Sequence, residues 1–159
     1  MKTVRITRYG AQLEVAEFLE YLIPDEDDLP LTMWPTFCGA GDGIGDRIVP
    51  DTIDGICVSP VCLDHDCSWA ISPNTYAAFQ AANNRFFKNL VSFLWSRLDG
   101  WQLVRALGRC TLYYAAVSSW IGWRNFSPAG EDPWSNPIVR DRLSRLARMK
   151  FRVVEEVRN

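Results

Sequence analysis

The sequence predicts a mainly helical domain with a long, glycine-rich loop and a small N-terminal extension. Three observations carry that reading. In the second half of the chain, apolar residues recur at three- and four-residue steps, the spacing that gives a helix one buried face. Between Trp34 and Pro60, residues Pro35, Gly39, Gly41, Gly43, Gly45, Pro50 and Gly55 fall too close together for a long helix. The chain has 159 residues, 48% of them apolar, and a net charge of −2, which is the size and balance of one compact domain.

The same composition excludes several classes. The chain is too apolar and too weakly charged to be disordered, and no stretch approaches the roughly 20 apolar residues of a membrane span. Its 17 basic residues against 19 acidic ones argue against a nucleic-acid partner, whose phosphates call for an excess of Lys and Arg. No apolar segment follows the basic start, so no secretory signal is read there. Five cysteines, an odd number, allow at most two bridges and one thiol.

Taken in order, Val4 and Ile6 alternate with charged residues ahead of Tyr9-Gly10, which suggests a hairpin or an extended arm. Alternatively Leu13, Ala16, Phe18, Leu19 and Leu22 form a short amphipathic helix closed by Pro24. Asp25, Glu26, Asp27 and Asp28 read as a solvated loop, with a cation site as the alternative. A loop of about 25 residues is unusual inside a domain unless it binds something or is stapled. This one contains Cys38 and Cys57, and function is expected here.

Helices follow over Val61 to Ile71, Tyr76 to Leu98, about Trp101 to Trp123, and Ile138 to Val157. Asp99-Gly100 stops the second, and residues 127–137 form a turn-rich connector. The organisation is thus an extension over 1–33, a core over 34–126 and a connector with a terminal helix over 127–159. The seven tryptophans are expected mostly in the core, with a few at a rim suited to lipid headgroups. Arg140, Arg142, Arg145, Arg148, Lys150 and Arg152 make the last helix a solvated amphipathic one, or a contact for anionic lipid, a partner protein or a second copy of the chain.

The chemistry concentrates around the single histidine, in Cys62-Leu63-Asp64-His65-Asp66-Cys67. On a helix Cys62, His65 and Trp69 stand at i, i+3 and i+7, with Asp66 at i+4 from Cys62, so thiol, imidazole and carboxylate address one volume. Three chemistries use such a set. In calcium-assisted ester hydrolysis, neutral His65 takes a proton from water, Asp66 binds the hard cation and carbonyls of Phe37 to Gly41 complete its oxygen shell. A zinc site would draw on Cys38, Cys57, Cys62, His65 and Cys67, although the spacing C-x4-C-x2-H-x-C departs from the paired knuckles of such sites. A cysteine nucleophile with His65 as base is the third.

The string PTFCGAGDG, then IVPDTIDG, then CLDHD with an aromatic four residues past the histidine, resembles the secreted phospholipase A2 superfamily. It is most similar to the bacterial and phage branch, which Ala82-Asn83-Asn84-Arg85-Phe86 with Asn89-Leu90, and Tyr113-Tyr114-Ala115-Ala116-Val117, also echo. The likeness spans residues 36–123. It implies a phospholipase A2-like helical fold, His65 as the base, and calcium held by Asp66 and the carbonyls of Phe37, Gly39 and Gly41. The substrate would be a glycerophospholipid, cut at its sn-2 ester on a membrane surface by a peripheral, secreted or virion-associated protein. A phage structural partner or a homo-oligomer fits the same likeness, as does a Cys38–Cys62 bridge tying the loop to the catalytic helix. Cys57 and Cys67 would pair with each other or stay reduced, and Cys110 would be a buried thiol.

The sequence departs from the family pattern at two places. Asn83 stands where the family orients its histidine with an aspartate, with Asn84 a second candidate one residue on. An amide oxygen still accepts the imidazole N–H but adds no charge, so a slower reaction is expected. Trp69 replaces a tyrosine and removes its hydroxyl. Asp54 and Asp64 read as solvated carboxylates or as supports for a metal's ligands. Asn83 is also the main argument for the alternative function, a catalytically silent scaffold with a structural or binding role.

Overall fold

The computed structural model describes residues 1–38, 51–126 and 132–158, with side chains as far as residue 153. Strands β1 (Thr3–Arg8) and β2 (Ala11–Ala16) form an antiparallel hairpin in which Arg8 lies opposite Ala11. Tyr9 and Gly10 take φ values of 52° and 70°, the left-handed pair that lets a two-residue turn follow the twist of its strands. Tyr9 tolerates this because its side chain is anchored. Its hydroxyl donates to the Leu29 carbonyl at 2.9 Å and accepts from Trp34 Nε1 at 2.7 Å. The helical alternative for residues 13–22 reduces to a single 3-10 turn at Glu17–Leu19.

A two-stranded sheet leaves edge N–H and C=O groups to be satisfied. Here side chains from the first two helices, α1 (Ser59–Ile71) and α2 (Tyr76–Trp95), take the place of a third strand along β2. Asn89 accepts from the Glu14 N–H at 2.9 Å and donates to the Glu14 carbonyl at 2.8 Å. Ser92 donates to the Gln12 carbonyl, and Asp64 accepts from the Ala16 N–H. The N-terminal extension is thereby built into the core, where Ile6, Leu13, Val15, Leu19 and Leu29 are buried. Asp64 is buried too and pairs with Arg85 at 3.2 Å, while Arg85 also donates to Ser68. The expectation of a solvated Asp64 is corrected: its position on α1 faces the hairpin.

Within the segment read as a loop, β3 (Thr52–Ile53) and β4 (Ile56–Cys57) make a second small hairpin through Asp54 and Gly55, both at positive φ. Asp54 is not solvated either. Its carboxylate lies against Arg105 at 2.6 Å and Arg109 at 3.3 Å, both on α3 (Gly100–Ser118). The acidic stretch 25–28 is exposed as expected, and two of its carboxylates meet Arg8 and Arg97.

The described chain is mainly helical. Pro60 starts α1 in the first turn, where its missing N–H costs nothing. Thr75 caps α2 by accepting from the Ala78 N–H at 3.2 Å. Along α2, Phe79, Phe86, Leu90 and Phe93 form the buried stripe. α2 lies between α1 and α3, and α5 (Pro137–Arg158) packs on α1 through Val139 and Leu146.

The helix expected to reach Trp123 is broken. Ser119 is extended and its hydroxyl accepts from the Gly122 N–H at 3.3 Å, starting α4 (Trp120–Asn125). Gly122 passes so close to α3 that a Cβ there would sit 1.9 Å from the Val117 carbonyl oxygen, so only glycine allows the turn.

The tryptophans also differ from expectation. Trp95, Trp101, Trp120, Trp123 and Trp134 are exposed, Trp69 is partly buried and Trp34 is buried. No helix among the described residues is long and apolar enough to cross a membrane.

Asn89→Ala removes both bonds to Glu14 and leaves an N–H and a carbonyl unpaired. It should lower the free energy of unfolding by about 2–3 kcal/mol in urea titrations. Asn84→Ala, whose side chain meets only the Tyr114 hydroxyl on the surface, should change it by less than about 0.5 kcal/mol.

Candidate active site

Three consecutive residues of α1 point in three directions, as the 100° step of a helix requires. Asp64 faces the hairpin, His65 faces α2 and Asp66 faces α5. His65 Nε2 lies 2.9 Å from Asn83 Oδ1, and Trp69 Nε1, one turn further along α1, donates to the same oxygen at 2.9 Å. Asn83 Nδ2 donates at 3.3 Å to the carbonyl of Val117, in the last turn of α3, where carbonyls lose their intrahelical partners.

These contacts assign the proton. An indole N–H is only a donor and a carbonyl only an acceptor, so the orientation of the Asn83 amide is settled by chemistry. Oδ1 must face His65, and His65 Nε2 must carry the hydrogen. The lone pair of the neutral ring is therefore on Nδ1, which lies 3.9 Å from Asp66 Oδ1.

The ring sits between Trp69 and Phe86, with centroids at 4.6 Å and 4.4 Å, and is 5% exposed. Burial pushes its pKa down to about 4, against the opposing effect of the Asn83 bond. At neutral pH it is an uncharged base. An aspartate at position 83 would lose the bond to Val117 and set a carboxylate oxygen against that carbonyl. Asn84 is not an alternative partner, because its Oδ1 accepts from the Tyr114 hydroxyl at 2.7 Å. Trp69 lacks the tyrosine hydroxyl of the family pattern but supplies its indole N–H as a donor to Asn83.

On the loop side, Cys38 and Cys62 form a disulfide with a Cα–Cα distance of 5.3 Å, the pairing the family likeness implied. Asp51 holds the same segment. Its Oδ1 accepts from the Phe37 and Cys38 N–H groups at 2.9 Å each and from the Ser59 hydroxyl at 3.2 Å. Nothing in the string IVPDTIDG itself announces this anchoring role of Asp51. Gly39 and Gly41, the other expected loop ligands, lie outside the described residues.

The terminal helix reaches this end of the site. Arg142 Nη2 lies 2.8 Å from Asp66 Oδ2, and the Arg142 and Arg145 guanidinium groups sit over the Phe37 ring at 5.5 Å and 5.2 Å. Arg145 also donates to the Thr36 carbonyl at 2.7 Å. Arg142 is therefore not the solvated charge its helical pattern suggested, while Arg145 makes its contacts at the surface. The pair with Asp66 is close but poorly aligned, for neither Asp66 Oδ2 nor Arg142 Nε completes a hydrogen bond. Burial raises the pKa of Asp66 to about 7 against the pull of Arg142.

The described donors fit a hard cation in kind. Asp66 offers a carboxylate oxygen that the Arg142 guanidinium contacts at 2.8 Å, and the same guanidinium lies over the ring of Phe37, whose carbonyl is the second candidate oxygen. Among the described residues no three His, Cys, Asp or Glu side chains gather to hold a metal. For zinc, Cys38 and Cys62 are spent in the disulfide, leaving Cys57, Cys67 and Cys110 as free thiols. Cys67 is buried, and desolvation holds its thiol well above the ordinary value, so it is a poor nucleophile. An open groove of about 490 Å³ runs between the hairpin tip and α2, lined by Gln12, Phe87, Val91 and Trp95, away from His65.

Comparison with protein-family models, curated proteins and solved structures finds no match to the chain.

His65 binds its proton less tightly in the folded chain, at about 4, than at its ordinary value of 6.5. As the pH falls the unfolded chain takes up that proton first, so stability is full above about 6.5 and declines between 6.5 and 4. Across that window the wild type should lose roughly 3 kcal/mol relative to His65→Asn, measured by urea unfolding at a series of pH values.

Proposed function

We propose that the chain is a phospholipase A2-like carboxylic ester hydrolase in which His65 activates water. The observation that carries the reading is the Nε2–H···Oδ1 bond from His65 to Asn83. It fixes a neutral imidazole with its basic Nδ1 turned toward Asp66. In the proposed reaction Nδ1 takes a proton from water as the oxygen attacks the ester carbonyl. The imidazolium then returns that proton to the departing alkoxide. Asn83 keeps the ring in register throughout, while among the described residues the carboxylate beside the ring is that of Asp66.

Calcium would be held by Asp66 and the Phe37 carbonyl, with Gly39 and Gly41 as the family likeness implies. When bound it would polarise the ester carbonyl and offset the oxyanion's charge. The substrate class rests on the same likeness: a glycerophospholipid presented at a membrane surface and cut at sn-2.

A second reading is a silent scaffold that binds rather than cleaves. Two observations favour it: the amide where a carboxylate is expected, and the guanidinium already paired with Asp66.

Fatty-acid release from mixed phosphatidylcholine and phosphatidylglycerol liposomes separates the two. Release that needs calcium, stops with chelator and falls by about 10²- to 10⁴-fold in His65→Ala is the expected result. Vesicle binding by a wild type that releases no fatty acid would instead establish the scaffold.

A further inference from the structure

Arg142 reaches Asp66 from the other end of the chain and is only 16% exposed, yet the pair it forms is an imperfect one. A guanidinium and a carboxylate frequently meet through two parallel hydrogen bonds. Here they touch at 2.8 Å without alignment, and one buried atom on each side is left unsatisfied. Unsatisfied buried polar atoms are rare in folded proteins and call for an explanation.

The same guanidinium lies over the ring of Phe37, the other described residue that the proposed reading assigns, through its carbonyl, to calcium. Its helix is held there independently. Asn136 donates to the Ala70 carbonyl at 2.8 Å and accepts from the N–H groups of Ile138 and Val139, while Val139 and Leu146 are buried and Arg145 is tied to Thr36.

We propose that Arg142 is a tethered cation, occupying at Asp66 the place a divalent cation takes, so that binding of the cation and docking of the Arg142 side chain exclude one another. The inference rests on the proposed reading for the identity of the site, and it adds the site's regulation. A positive charge in this position stabilises the half-buried carboxylate while no metal is bound, and α5 delivers it. A divalent cation must displace Arg142, and by reciprocity whatever loosens α5 strengthens cation binding. Chemistry at His65 would then await both calcium and the release of one side chain.

The test is calorimetric titration of the full chain with calcium chloride. Compared are the wild type, Arg142→Met, Arg148→Met and the double variant Asp66→Asn/Arg142→Met, each with its fold checked by circular dichroism. Arg142→Met keeps most of the apolar stem while deleting the charge. It should bind calcium at least about tenfold more tightly than the wild type, within the usual range of coupling between sites. Arg148→Met, which removes the same charge from an exposed position of the same helix, should match the wild type, and the double variant should not bind.

Equal affinities in the wild type and Arg142→Met overturn the proposal. So does an equal gain in Arg148→Met, binding that survives Asp66→Asn, or a folded Arg142→Met that binds no calcium. The liposome assay is a separate readout. Competition without fatty-acid release defeats the hydrolase and leaves the tethered cation, whereas release without competition does the reverse.

Discussion

The side-chain amide of Asn83 is the point on which the site depends, because it joins three helices through groups that have no other role open to them. Its Nδ2 meets a carbonyl at the end of α3, and its Oδ1 meets the indole of Trp69 and the imidazole of His65 on α1. The tautomer of the histidine follows from these contacts. The break at Ser119 is part of the same construction. Gly122 lets α4 turn back against Val117, and the Val117 carbonyl is left to the amide. A carboxylate at position 83 would supply charge for an imidazolium but would face that carbonyl oxygen with another oxygen. The amide exchanges charge for coupling between helices.

Around this centre, charge and polarity are supplied by segments distant in sequence. One turn of α1 carries Asp64, His65 and Asp66 to three different partners, and each partner belongs to a different part of the chain. Asp64 and Arg85 share a buried ion pair that also receives the edge of the hairpin. Breaking such a pair on one side leaves an uncompensated buried charge, so the hairpin, Asp64 of α1 and Arg85 of α2 depend on one another. At the opposite face Asp51 and the Cys38–Cys62 disulfide hold Phe37 against α1, and the arginines of α5 close over it.

Much of the architecture was legible from local pattern. The Tyr9-Gly10 turn was readable from its residue types, α1 from its length after Pro60, and α2 and α5 from their apolar spacing. Asn83 was placed as the partner of His65 by the family likeness, and the contact is formed. The break between α3 and α4 was not legible, since Ser119 and Gly122 act through a close approach to Val117 that no periodicity reports. Nor were the buried positions of Asp54 and Asp64, or the exposure of five tryptophans. Whether a carboxylate meets water or an arginine depends on which element covers it. Nothing within a few residues of Asp66 announced Arg142.

The sequence by itself determined the mainly helical class, the turn at Tyr9-Gly10 and the residue types gathered around one histidine, because these follow from spacing along the chain and the conformations each residue allows, while the choice between hairpin and helix for the strands around that turn stayed open. Tertiary structure alone decided which ring nitrogen holds the proton, which carboxylates are paired and where the cation at Asp66 comes from. Those depend on atoms brought within about 3 Å of each other from segments tens of residues apart, and in a low-dielectric interior a displacement of an ångström changes a satisfied group into an orphaned one.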